Sequence, residues 1–177
     1  MINIRPAHPD DHAALLDLYK AVAALPVGIA RSEEEVTAAY IQSFMENSSK
    51  RGMQLVAVDD AVPGQVLGDI HCEQPAAGIF RHVLSNLTIA VHPAFQAKGI
   101  GKKLFTSLLH TIEATRPDIL RVELFVQASN EKARTFYLAL GFKEEGRFEK
   151  KVWGKHGVLE DDVAMAWLNP AFTAHKR

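Results

Sequence analysis

The chain has 177 residues, 47% of them hydrophobic, which suits one domain with a proper core. Twenty Lys and Arg stand against 21 Asp and Glu, a formal net charge of −1, so neither a general basic field for nucleic acid nor an acidic tail is expected. Cys72 is the single cysteine and excludes an intrachain disulfide; with no apolar signal-peptide core and no apolar run of about 18 residues, a cytoplasmic protein without a membrane partner is expected.

Ile2 and Ile4 alternate as a short strand. Pro9, Asp10 and Asp11 favour a helix start, and Leu15, Leu18, Tyr19 and Val22 then share one helical face. Leu25-Pro26-Val27-Gly28 breaks that helix. A second helix is predicted from Ser32, whose spacing to Glu35 makes a capping box, with Val36, Tyr40 and Phe44 turned inward. Asn47 to Gly52 reads as a polar turn region, followed by strands over Met53–Val58 and Val66–Glu73 and a loop from Gln74 to Arg81.

Leu87-Thr88-Ile89-Ala90-Val91 is an apolar, strand-like run, stopped by His92-Pro93. Next come Gln96-Ala97-Lys98-Gly99-Ile100-Gly101 and then a helical spacing of Leu104, Phe105, Leu108, Leu109 and Ile112. A helix start presents backbone N–H groups without intrahelical partners and the positive end of the macrodipole. Gly99 and Gly101 let an anion approach the backbone, and Lys98, Lys102 and Lys103 add positive charge, so the stretch reads as a phosphate cradle. An ordinary glycine-rich strand-to-helix connection is the plainer alternative. A mononucleotide P-loop is excluded because Gly101 is followed by Lys102-Lys103, and the dinucleotide fingerprint fails at Leu104.

Past Arg116-Pro117-Asp118, Leu120–Val126 is a β-rich run. Asn130 is a good N-cap for a helix with Ala133, Phe136, Tyr137 and Leu140 on one face, and Gly141 is its stop. Two strands, Lys143–Trp153 and Val158–Leu168, flank Gly154-Lys155-His156-Gly157 as a hairpin. Central strand-helix-strand-helix order with antiparallel ends predicts a mixed sheet in an α+β, three-layer arrangement.

Gln96, Gly99 and Gly101 sit at the defining positions of the pattern Gln/Arg-x-x-Gly-x-Gly/Ala between strand and helix. Asn130, Ala133, Phe136-Tyr137 and Leu140-Gly141-Phe142 follow in matching order. Together they resemble the two motifs of the GNAT superfamily of N-acetyltransferases, and the look is nearest to members acting on amino acids or small amines. The resemblance implies a single GNAT-like domain over residues 1–177, with about four helices and about six to seven strands splayed at a cofactor cleft. It implies acetyl-CoA as cosubstrate and no metal, and it allows a homodimer.

Carried over position by position, the resemblance implies that Ile89, Ala90 and Val91 offer backbone groups to the pantetheine arm. Gln96, Ala97, Lys98, Gly99, Ile100, Gly101 and Lys102 would hold the pyrophosphate. Asn130 would contact the coenzyme near its thiol end, and Tyr137 would lie near the sulfur as general acid. A Tyr with its ordinary pKa near 10 can protonate a thiolate whose thiol has a pKa of about 8.5. Many relatives carry a Glu early in the strand before the pyrophosphate loop, where this chain has Leu84-Ser85-Asn86. The general base is therefore open among Glu123, Glu73, His71 and His82, with Glu123 the candidate on a strand bordering the site, and an α-amine acceptor needs none.

In related enzymes the acceptor site is shaped by the first interhelical connection and the last hairpin, here Leu25–Arg31 and Trp153–Leu159. Val27 and Ile29 suggest an apolar wall, and Arg31 a partner for a substrate carboxylate. The leading expectation is an N-acetyltransferase for a primary amine of a small molecule or amino acid. A protein or peptide N-acetyltransferase and a non-catalytic acyl-CoA-binding module are the alternatives.

Overall fold

Alternation at Ile2 and Ile4 produces the first strand, β1 (Ile2–Pro6), in a computed structural model that describes residues 1–25, 28–154 and 157–174. The described residues form seven strands and four α-helices. After β1 come α1 (His12–Ala23), α2 (Ala38–Arg51), β2 (Gly52–Asp59), β3 (Val66–Glu73), β4 (Val83–Val91) and α3 (Ile100–Thr115). β5 (Arg121–Gln127), α4 (Glu131–Ala139), β6 (Lys143–Trp153) and β7 (Leu159–Leu168) complete the order. The sheet runs β1-β2-β3-β4-β5-β7-β6. It is mixed: β4 and β5 pair in parallel, whereas β1–β2, β2–β3, β5–β7 and β6–β7 are antiparallel. No helix of the described residues is long and apolar enough to cross a membrane.

Contacts divide the described chain into two units: Met1–Glu73 with Thr88–Thr111, and Gln74–Leu87 with the chain from Ile112 onward. In the first, α1 buries the predicted Leu15, Leu18, Tyr19 and Val22 against Ile41 and Phe44 of α2 and Val56 of β2. α3 packs on β3 with Ile100 and Leu104, so close that a Cβ on Gly68 would stand 3.0 Å from Leu104 Cδ1. In the second unit, β5 alternates buried Val122, Leu124 and Val126 with outward neighbours, as a strand with one packed face must. Its register on β7 runs from Arg121↔Leu168 to Gln127↔Asp162.

Two local readings need correction. The capping box of Ser32 and Glu35 forms, but it closes only a 3-10 turn, Glu33–Glu35; Val36 leaves helical geometry (ψ 85°) and Thr37 caps the true helix by accepting from Tyr40 N–H. Asn47 to Gly52 is no turn region: α2 continues to Arg51, supported on its exposed side by Gln42–Glu46 and Glu46–Lys50 contacts one turn apart. β4 begins at Val83 and absorbs Leu84-Ser85-Asn86, with Asn86 at φ 53°.

Candidate active site

The cradle is built within the first unit by the end of β4, the loop after it and the start of α3. His92 N–H donates to Leu67 O on β3 (2.9 Å), and His92 Nδ1 accepts from Ala94 N–H (3.3 Å), so the chain turns sharply at Pro93. Gln96 Nε2 reaches back to Val91 O at 3.1 Å; in this structure the side chain fastens the loop to its strand. Ala97 and Gly99 take left-handed φ values of 60° and 79°, and at Gly99 that conformation is what glycine supplies. Lys103 N–H donates to Gly99 O (3.0 Å) and closes the first turn of α3. The N–H groups ahead of it are the ones a helix leaves for an outside acceptor.

Gly101 tests whether these residues suit a phosphate group. A Cβ there would meet Ile89 Cδ1 and Val91 Cγ2 only at 3.7 and 3.8 Å, ordinary contact distances. The chain's own packing does not demand glycine at this position, which fits a residue kept small for something outside the chain. Lys98, Lys102 and Lys103 are exposed, and Lys98 Nζ lies 4.7 Å from the Phe95 ring centre. A cavity of about 460 Å³ is lined by Ile4, Gly99, Lys102, Lys103, Thr106 and Ser107. Ile89, Ala90 and Val91 form the last residues of β4, with Ala90 buried and Ile100 buried at the head of α3.

The second unit carries the other motif. Asn130 caps α4 by accepting from Ala133 N–H through Oδ1 at 3.1 Å, and its Nδ2 has no hydrogen-bond partner among the described residues. Tyr137 is largely buried beside Phe136 and Phe142, with ring centres at 5.6 and 6.0 Å. Burial pushes its phenol up to about 12. Glu123, the strand candidate for the base, lies 2.7 Å from Arg121 Nε, and Arg121 also pairs with Glu145. Of the other base candidates, Glu73 pairs with Arg51 at 3.6 Å, while the His82 carbonyl accepts from Leu120 N–H.

Among the acceptor candidates, Val27 lies outside the described residues. Ile29 packs against the core of α1 and α2, and the Arg31 guanidinium stands 4.2 Å over the Tyr40 ring. His71, the remaining base candidate, is buried on β3 in a polar cluster with Asp69 of the same strand and Tyr19 of α1. The sequence reading passed over Asp69 and counted Tyr19 as core. The available signal was Asp69-Ile70-His71, two polar residues that a strand places on one face.

The profile of the acetyltransferase (GNAT) domain matches residues 50–144, the stretch that holds β2 to α4 and both motifs. The [ribosomal protein bS18]-alanine N-acetyltransferase of Haemophilus ducreyi is 41% identical over 56 residues, 32% of this chain, and the chain spans only 37% of the length of that relative. Two solved structures share the fold at lower identity. The yncA protein of Salmonella typhimurium, with its cofactor acetyl-CoA, has TM-score 0.81 and 22% identity over 99% of this chain and 98% of its own. Ribosomal-protein-alanine N-acetyltransferase from Brucella melitensis has TM-score 0.78 and 24% identity over 94% and 99%. With a glycine loop at the head of α3, an Asn-capped α4 carrying Tyr137, and a domain profile that spans both, this chain belongs to the GNAT family of acetyltransferases.

Proposed function

We propose that the protein transfers an acetyl group from acetyl-CoA to a primary amine. The observation that carries this reading is Gly101 in the first turn of α3, a glycine the packing does not require, between exposed lysines and inside the family-matched segment. In this reading the α3 N–H groups and Lys98 and Lys102 bind the pyrophosphate, the β4 backbone from Ile89 to Val91 holds the pantetheine arm, and Asn130 Nδ2 donates near the thioester. Tyr137 gives its proton to the departing sulfur. A phenol held near 12 stays protonated throughout the working range, so the acid is always present and Tyr137 contributes no falling limb to the rate from about pH 8 to about pH 10.

The acceptor we favour is a small primary amine or amino acid, for which Arg31 would meet the carboxylate. The Haemophilus ducreyi relative supports a second reading, in which the acceptor is the α-amine of a protein N-terminus. An amine and peptide panel followed by thiol release from acetyl-CoA separates the two. Tyr137→Phe tests the chemistry: turnover should fall about 10² to 10⁴-fold while coenzyme A affinity by calorimetry stays within about twofold. Full turnover in that variant would make Tyr137 a packing residue, and binding without any transfer would leave an acyl-CoA-binding module.

A further inference from the structure

Asp69 is wholly buried on β3, and His71 beside it keeps 6% exposure. A carboxylate survives burial only where donors replace water. Three do so here: Tyr19 O–H donates to Oδ2 at 2.7 Å, Gln54 Nε2 donates to Oδ1 at 2.7 Å, and His71 Nδ1 stands 2.8 Å from Oδ2. The Tyr19 hydroxyl directs its only proton at Asp69, so toward His71 Nδ1, 3.2 Å away, it can only accept. Both neighbours of Nδ1 are acceptors, which puts the proton on Nδ1 and leaves Nε2 the bare, basic nitrogen.

Phe44 lies flat on the imidazole, centres 4.1 Å apart and planes within 5°, and fixes the plane of the ring. Nε2 meets no hydrogen-bonding group among the described residues. Tyr40 stands edge-on to Phe44 and Tyr19, with Arg31 stacked on its outer side and Ile29 packed on the same cluster. Two residues of the connection expected to shape the acceptor site, Ile29 and Arg31, thus pack on the aromatic cluster around His71. The titratable and charged groups facing His71 are Asp69 from its own strand, Tyr19 from α1, and Tyr40 from α2 with Arg31 behind it; Gln54 of β2 and Phe44 of α2 are neutral.

We propose that His71 Nε2, held in place by Asp69 and Tyr19, takes the proton from the acceptor amine, directly or through one water; this rests on the acetyltransferase reading above. The ammonium gives one proton to Nε2, and the freed nitrogen lone pair forms the C–N bond at the thioester carbonyl carbon. The C–S bond breaks with its electron pair on sulfur. The second nitrogen proton is lost as the amide forms and balances the one the sulfur takes up, and the proton on Nε2 returns to solvent. Asp69 holds the tautomer and stands as counter-charge to the imidazolium that forms.

Two measurements on the whole protein decide the matter. Histidine nitrogen NMR, with His71 assigned by its loss in His71→Gln, should show Nδ1 protonated and Nε2 bare. In His71→Gln, thiol release with the best acceptor should fall about 10² to 10⁴-fold in kcat, the rate should rise with pH only as the acceptor amine itself loses its proton, and coenzyme A affinity should hold. Should His71→Gln not fold, Asp69→Asn reads the same point: its amide can donate to Nδ1, move the proton to Nε2 and slow the reaction in folded protein. A wild-type Nε2–H tautomer overturns the proposal, as does a folded His71→Gln with wild-type rate and pH profile. Wild-type protein that binds coenzyme A and acetylates nothing defeats the acetyltransferase reading instead, and this inference with it.

Discussion

The loop at the head of α3 and the Tyr19–Asp69–His71 cluster occupy the same unit and are built on opposite terms. The loop works through backbone: N–H groups, two left-handed residues, and exposed lysines around them. The cluster works through side chains brought from α1, β2 and β3, buried and hydrogen-bonded to one another. A backbone site asks of the sequence only that certain conformations and approaches stay open. A buried side-chain network asks for each member, because removing one leaves the others unpaired. Substitutions in the loop should therefore change binding more than stability, and those in the cluster the reverse.

The sharpest attempt to break this contrast is Asp69→Ala, which strands the Tyr19, Gln54 and His71 donors; urea unfolding should show a loss of about 3 to 5 kcal/mol. Gly101→Glu should do the opposite, weakening coenzyme A by about 100-fold or more in calorimetry, about 2.7 kcal/mol, with little change in urea midpoint. Next is a pair within the loop. Gly99→Ala must hold φ near 79° and should cost about 1 to 2 kcal/mol of stability. Gly101→Ala meets only ordinary contacts inside a helix and should gain up to about 1 kcal/mol while binding weakens. If both behave alike, conformation is not what separates the two glycines. The smallest effect belongs to Arg31→Ala, about 0.5 to 1 kcal/mol for the exposed contact with Tyr40, and a change in amine KM only for acceptors that carry a carboxylate.

The same contrast explains what the sequence disclosed. Gln96, Gly99 and Gly101 are consecutive enough to read as a motif, and Asn130 and Tyr137 mark their helix by local spacing, so loop, cap and fold class were all legible. Tyr19 stands about fifty positions from Asp69 and His71 and meets them only when α1 packs on β3, so Asp69-Ile70-His71 is a local signal but nothing local ties Tyr19 to it. α2 misled for a related reason. Ser32 and Glu35 satisfy a capping box whether or not a helix follows, and here the turn stops at Val36, which is buried with ψ 85°. Glu123 reads locally as a strand position suited to a base, whereas the sharing of Arg121 with Glu145 of β6, two strands away, is not legible locally.

Cys72 gives the chain a convenience for its own assay. The protein's single thiol has no solvent exposure, and it follows His71 directly on β3. A colorimetric thiol reagent added to folded enzyme should see released coenzyme and almost nothing of the protein itself. The reagent becomes a clock once the acetyl donor is left out: slow reaction with Cys72 then reports how often β3 opens. Substitutions that loosen the Asp69 network should quicken that clock, and Gly101→Glu, which changes binding and not stability, should leave its pace unchanged.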